Sequence, residues 1–153
     1  MSDSLIIIPT YNELGNIEKM IRKVFSLPKQ YHLLIIDDGS PDGTADRVKW
    51  LQKEYADKLF LIERSGKQGL GTAYITGFKY ALEKTYQYIF EMDCDFSHNP
   101  DDLTRLYDAC ASGHESFYRL RYVQGGGFVN WPKDRNQVVA KMRQLHVILV
   151  LLA

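Results

Sequence analysis

Leu5-Ile6-Ile7-Ile8-Pro9-Thr10 is the stretch whose reading decides the fold. Four consecutive apolar residues, three of them β-branched, form a strand buried on both faces rather than one with alternating polarity. Pro9 closes the run, and Asn12 is positioned to cap a helix over 13–26 with Ile17, Ile21, Val24 and Phe25 facing inward. The same pattern then repeats. A strand over 33–36 ends in Asp37-Asp38-Gly39-Ser40, and Ser40-Pro41-Asp42 opens a helix by the rule of a cap followed by proline. A short strand over 59–62 leads to Gly66, Gly69 and Gly71 and a helix ending near Lys84. A fourth strand over 88–92 runs into Asp93-Cys94-Asp95, and Asn99-Pro100-Asp101-Asp102 starts the next helix.

Alternating helices and wholly apolar strands define an α/β domain, doubly wound, with a mostly parallel sheet and helices on both faces. The strand order 3-2-1-4 is favoured, and ligands of such sheets sit beyond the carboxyl ends of the strands. Each carboxyl end here carries polar residues: Tyr11 and Glu13, Asp37 and Asp38, Arg64 and Lys67, Asp93 and Asp95.

Composition narrows the partners. Nineteen basic and nineteen acidic residues leave a formal net charge of zero, so no bulk field recruits nucleic acid. Cys94 and Cys110 lack metal-ligand spacing and read as free thiols of a reduced, cytoplasmic chain. The N-terminus lacks a secretory signal, and the apolar run over 147–153 is far shorter than the ~20 residues of a membrane span.

The Asp93-Cys94-Asp95 pair suits Mg²⁺ or Mn²⁺, which takes one or two carboxylates and completes its shell with water and phosphate oxygens. Tyr11 offers a ring for a base or ribose, Glu13 an acceptor for a ribose hydroxyl, and Asp38 an acceptor for the N–H groups of a base. Gly66-Lys67-Gln68-Gly69-Leu70-Gly71 is neither a Walker sequence nor a dinucleotide fingerprint; it reads as a loop passing close to a nucleotide.

Taken together, Ile7-Ile8-Pro9-Thr10-Tyr11-Asn12-Glu13, Ile36-Asp37-Asp38-Gly39-Ser40-Pro41-Asp42-Gly43-Thr44, residues 66–73 and Asp93-Cys94-Asp95-Phe96-Ser97-His98 resemble family 2 glycosyltransferases of the GT-A fold, and among them the polyprenol-phosphate mannose synthases. Arg121-Tyr122-Val123, Gly125-Gly126-Gly127 and Asn130-Trp131-Pro132 extend the likeness, which covers about residues 4–135. The resemblance implies transfer of a sugar, usually mannose from GDP-mannose, to a polyprenyl (dolichyl) phosphate with inversion. It implies that Pro9, Tyr11, Glu13, Ile36 and Asp38 hold the nucleoside. Asp93, Cys94 and Asp95 would meet the diphosphate, with Asp93, Asp95 and Ser97 as ligands to Mg²⁺ or Mn²⁺. Asp95, Arg121 and Arg135 would form the catalytic set, Arg121 also contacting the donor. A lipid acceptor implies work at the cytoplasmic face of a membrane.

The likeness departs in two places. Arg119 and Leu120 stand where the family has a small Gly-Ser pair, and the match dissolves after Arg135. The expected organisation is therefore a nucleotide-sugar-binding unit over 1–135 and a divergent apolar tail over 136–153, helical and available for self-association, in a chain lacking the C-terminal part of the family's domain. Such a chain is expected to bind donor without completing transfer. The alternatives are a non-catalytic nucleotide-sugar-binding fragment and a glycosyltransferase using a UDP-sugar.

Overall fold

A computed structural model of the chain describes residues 2–112 and 148–151. Strands and helices alternate as β1 (Ser4–Thr10), α1 (Leu14–Phe25), β2 (His32–Asp37), α2 (Thr44–Gln52), β3 (Leu59–Glu63), α3 (Leu70–Glu83), β4 (Tyr88–Glu91) and α4 (Asp102–Ala111), with β5 (Ile148–Leu151) last. The sheet order is β3-β2-β1-β4-β5 and every pair is parallel. The 3-2-1-4 order expected from the sequence is thus present, with a fifth strand beside β4.

That fifth strand corrects the helix expected over 136–153, at least for residues 148–151. Ile148-Leu149-Val150-Leu151 is a short apolar run rich in β-branched residues, and the free edge of β4 offers it a hydrogen-bonding partner that a lone helical turn lacks. Residues 136–147 lie outside the described residues.

Each strand feeds two apolar layers because successive side chains point to opposite faces. Ile6, Ile8, Leu33, Ile35 and Phe90 pack with Ile17, Met20 and Ile21 of α1, Val48 and Leu51 of α2, and Leu103 and Leu106 of α4. Leu5, Ile7, Leu34, Ile36 and Ile89 pack on the other face against Ala73, Tyr74, Phe78 and Ala81 of α3. Burial of each such side chain contributes about 1.5–3 kcal/mol relative to exposure, which is why these strands read as unbroken apolar runs. The α3 layer is tight at one point: a Cβ added to Gly77 would lie 2.7 Å from Ile7 side-chain carbons.

Two helix starts differ from the sequence reading. Asn12 does not cap α1; it takes a positive φ of 60°, and its amide donates to Ser40 Oγ at 2.9 Å. The amides at the start of α1 are satisfied from the start of α2 and the turn before it instead, that of Glu13, just ahead of α1, by Thr44 Oγ1 and that of Leu14 by Asp42 Oδ2. Ser40 does not cap α2 either. That helix starts at Thr44, whose amide donates to Asp42 Oδ1 at 3.0 Å. One carboxylate, Asp42, therefore serves two helix N-termini, and local sequence spacing cannot reveal such a crossing. Burial raises the Asp42 pKa, but bonds from Thr44 and the Leu14 amide outweigh it and hold it below the ordinary carboxylate value.

Candidate active site

All strands run the same way, so β1 to β4 deliver their following loops to one edge of the sheet. Strand order reverses between β1, which pairs with β2, and β4, which pairs with β1 from the other side. That switch point is where an open α/β sheet has a crevice.

The β2 loop is built on Asp37. Its buried carboxylate accepts from Thr10 Oγ1 at 2.9 Å, from the Ser40 amide at 2.8 Å and from Ser40 Oγ at 2.6 Å. With three donors, Asp37 ties the end of β1 to the turn after β2 and is structural. Asp38 next to it is also buried, and two adjacent carboxylates are costly without partners. Arg64, just past β3, supplies one: its Nε donates to Asp38 Oδ1 at 2.6 Å and its NH2 group pairs with the same oxygen. The Gln68 amide donates to Asp38 Oδ2 at 3.2 Å.

Arg64 reaches further. It donates to Thr72 Oγ1 at 2.7 Å and to the Gly69 carbonyl at 3.3 Å. The end of the glycine-bearing loop is thereby tied to one guanidinium at Gly69 and Thr72. Gly39 allows the close approach: it has φ 70°, and a Cβ there would sit 3.2 Å from Gly66 Cα and 3.3 Å from the Arg64 carbonyl. A side chain at 39 would be strained by conformation and by backbone on two sides.

Between these loops lies a cavity of about 120 Å³, lined by Pro9, Thr10, Tyr11, Asp38, Lys67, Gly69, Leu70 and Ala73. Lys67 Nζ lies 4.8 Å from the Tyr11 ring centroid, and Tyr11 and Leu70 are exposed at its mouth. An aromatic ring, an aliphatic side chain and a buried carboxylate can receive a planar heterocycle with N–H donors. Ile36, expected to touch the nucleoside, is fully buried in the α3 layer and does not line this cavity.

The β4 loop brings the second cluster. Tyr74 of α3 donates its hydroxyl to Asp93 Oδ1 at 3.2 Å, orienting a half-buried carboxylate. Asp95 is exposed, and its Oδ1 accepts the Ser97 amide at 2.9 Å. Hydrogen bonds from Ser97 hold the Asp95 pKa below the ordinary carboxylate value. The tight turn forces Phe96 to φ 61°, a conformation uncommon for a bulky side chain. Backbone strain of this kind costs about 1–3 kcal/mol and concentrates at functional sites. Cys94 is buried between the acids; burial first, then the charges of Glu13, Asp95 and Asp93, push its thiol up to about 12. It is therefore a protonated packing residue, and Glu13 from the β1 loop adds to the same negative field.

Arg121 and Arg135 lie outside the described residues. Arg64 as the partner of Asp38, and Tyr74 as the partner of Asp93, were not singled out by sequence reading. Both pairings cross strand or helix connections, so no local spacing marks them.

A parallel sheet with polar loops gathered at its topological switch defines a ligand-binding α/β domain. The chain belongs to glycosyl transferase family 2, whose model matches residues 5–150. It is 43% identical over 132 residues to a polyprenol monophosphomannose synthase of Mycolicibacterium smegmatis, covering 86% of this chain and 50% of that protein. It is 38% identical over 136 residues to an undecaprenyl-phosphate mannosyltransferase of Micrococcus luteus, covering 88% and 54%. The chain thus spans about half the length of these curated relatives. Among solved structures, a mannosyltransferase of Pyrobaculum calidifontis in complex with GDP-Man and Mn²⁺ superimposes with a TM-score of 0.59 at 24% identity, covering 67% of this chain and 30% of that one. Staphylococcus aureus TarS in complex with UDP-GlcNAc gives 0.62 at 20% identity, covering 83% and 37%. These two likenesses bear on the fold, which is that of the GT-A glycosyltransferases.

Proposed function

We propose that this chain carries the donor half of an inverting, metal-assisted glycosyltransferase that moves mannose from GDP-mannose to a polyprenyl phosphate. The observation that carries the reading is that the parallel strands β2, β1 and β4 deliver the cavity of Tyr11 and Asp38 and the acidic turn of Asp93 and Asp95 to the same edge of the sheet. The names of the curated relatives support the sugar and the acceptor class.

In this reading Pro9, Tyr11, Glu13 and Asp38 receive the nucleoside, and Asp93, Asp95 and the Cys94 backbone face the diphosphate. Asp93, Asp95 and Ser97 would hold Mg²⁺ or Mn²⁺. The donor set fits in its chemistry: two carboxylates and a hydroxyl are hard oxygen ligands of the kind such an ion takes. That suits an ion completing its shell with substrate phosphates. When bound, the metal neutralises charge developing on the leaving diphosphate.

The acceptor needs little activation. A phosphate monoester has a second pKa near ~6 and is largely ionised at neutral pH, so it attacks without a general base. What the site must supply is orientation and relief of repulsion between two phosphates, the role this reading gives to Arg121 and Arg135. Work at a membrane surface follows from the lipid acceptor; among the described residues no helix is long and apolar enough to cross a membrane.

Calorimetry of the 153-residue chain against GDP-mannose, UDP-glucose and UDP-N-acetylglucosamine, with Mn²⁺ or with EDTA, tests the proposal. The expected result is metal-dependent binding of GDP-mannose in preference to both UDP-sugars. Preference for a UDP-sugar, or no binding of any donor, overturns it.

A further inference from the structure

A second cavity among the described residues, larger than the one lined by Tyr11 and Asp38, has no part in this chemistry. It lies at the amino edge of the sheet, where β2 and β3 begin and α3 ends, and its volume is about 530 Å³. That falls within the ~300–1,000 Å³ typical of small-molecule sites. The seven-residue β1 separates the two edges by about 20 Å at ~3.3 Å per residue.

Its wall is aromatic and already packed. The His32 and Phe60 ring centroids are 5.6 Å apart, His32 and Tyr86 5.5 Å, and Phe60 and Tyr80 5.7 Å. His32 and Tyr86 are more than nine-tenths buried and bonded to each other, His32 Nδ1 to Tyr86 Oη at 2.6 Å. This fixes the floor. Phe60 and Tyr80 are half-buried, and no described residue hydrogen-bonds the Tyr80 hydroxyl.

The rim decides the charge of a ligand. An aromatic wall alone would suit a cation. Here, however, Lys58 and Lys84 stand at the rim, and neither has a carboxylate partner within ion-pair distance among the described residues. Lys84 Nζ lies 6.0 Å from the Tyr80 ring centroid, and the Lys58 charge is felt at His32. Asp57, also on the rim, offsets only one of the two positive charges. An acidic group reaching the lysines, with an apolar ring against Phe60 and Tyr80, satisfies both features at once.

We propose that this amino-edge cavity is a second binding site, separate from the donor site, for a small ring-bearing anion such as an aryl phosphate or aryl carboxylate. The ring rests on Phe60 and Tyr80, the Tyr80 hydroxyl donates to the ligand, and Lys58 and Lys84 hold its acidic group. The inference does not depend on the donor or acceptor assigned above.

Two-dimensional amide and aromatic NMR of the full chain, titrated with phenyl phosphate, tests it. Saturable shifts confined to residues 30–32, 57–60 and 80–86 are expected. Phenol and inorganic phosphate, each carrying half of the recognition, should bind at least about tenfold more weakly. The Lys58→Ala/Lys84→Ala double variant should retain its melting temperature and weaken phenyl phosphate by about tenfold or more. Saturating GDP-mannose with diamagnetic Mg²⁺ should leave the shifts in place. The proposal is overturned if these residues do not shift by about 10 mM ligand, if phenol does as well as phenyl phosphate, if the double variant binds equally, or if GDP-mannose displaces the probe.

Discussion

Arg64 donates from Nε to Asp38 Oδ1 at 2.6 Å, and this pair joins the ends of β2 and β3 beneath the candidate nucleoside cavity. Both side chains are buried, at 7% and 9% exposure. A buried ion pair is retained only with good geometry and further hydrogen bonds, and here Thr72, Gly69 and Gln68 supply them. Asp38 is thereby fixed in direction before any ligand arrives.

Removing one partner leaves the other charge buried and unpaired. Arg64→Ala should lower stability by about 3–5 kcal/mol, measured by urea unfolding. Arg64→Lys should recover only part, because an ammonium cannot reproduce the fork to Asp38, Thr72 and Gly69. A loss below about 1 kcal/mol in Arg64→Ala would show the pair to be solvated.

At the acidic turn, Asp95→Ala should weaken metal-dependent GDP-mannose binding far more than Ser97→Ala. Asp95 brings a charged hard ligand and Ser97 a neutral hydroxyl, and hydrogen bonds to charged groups are worth about 1.5–3 kcal/mol. Calorimetry in Mn²⁺ compares the two, and equal losses would remove the distinction.

Asp38→Ala should weaken GDP, GDP-mannose and GDP-glucose to the same degree, since in the proposed function this cavity-lining carboxylate receives the base. The expected loss is about 1.5–3 kcal/mol in each case. A loss confined to one sugar would place Asp38 elsewhere.

Gly77→Ala tests the contact of α3 with β1. Alanine favours a helix over glycine by about 1 kcal/mol, so a solvent-facing site would gain stability. Here the added methyl group meets Ile7 at 2.7 Å, and overpacking costs about 1–3 kcal/mol. A net loss is expected, and Ile7→Val should relieve part of it in the double variant. A melting temperature raised by Gly77→Ala alone would mean the layer can yield.

His32 gives the fold an acid-sensitive component. Burial first, then the positive charges of the N-terminus and Lys58, lower its pKa below the ordinary ~6.5. The Ser2 amide lies 3.4 Å from Nε2, so the neutral ring that accepts there gives its Nδ1 proton to Tyr86. The unfolded chain binds this proton more readily than the folded one. Stability from His32 is therefore full above pH ~6.5 and declines as pH falls toward the lower folded value. Urea midpoints from pH 7.5 to about 5 should fall, and His32→Gln should flatten that slope. An unchanged slope would assign it to other groups.

The sequence alone determined the alternation of strands and helices, the parallel sheet and the edge at which the polar loops gather. Unbroken runs such as Leu5-Ile6-Ile7-Ile8 permit little else, because a strand covered on both faces has no polar side to show. The placement of Tyr11, Asp38, Asp93 and Asp95 at one sheet edge was legible for a related reason: each lies within a few residues of the end of a strand. The tertiary structure decided what those side chains do to one another. It gave Asp37 to the turn and Asp38 to Arg64, replaced the expected cap Asn12 by Asp42, and paired Tyr74 with Asp93. It also made residues 148–151 a strand, since the edge of β4 was open to them. Hydrophobic periodicity is a property of neighbours along the chain, whereas these hydrogen bonds join loops that only the packed sheet brings within 3 Å or so of each other.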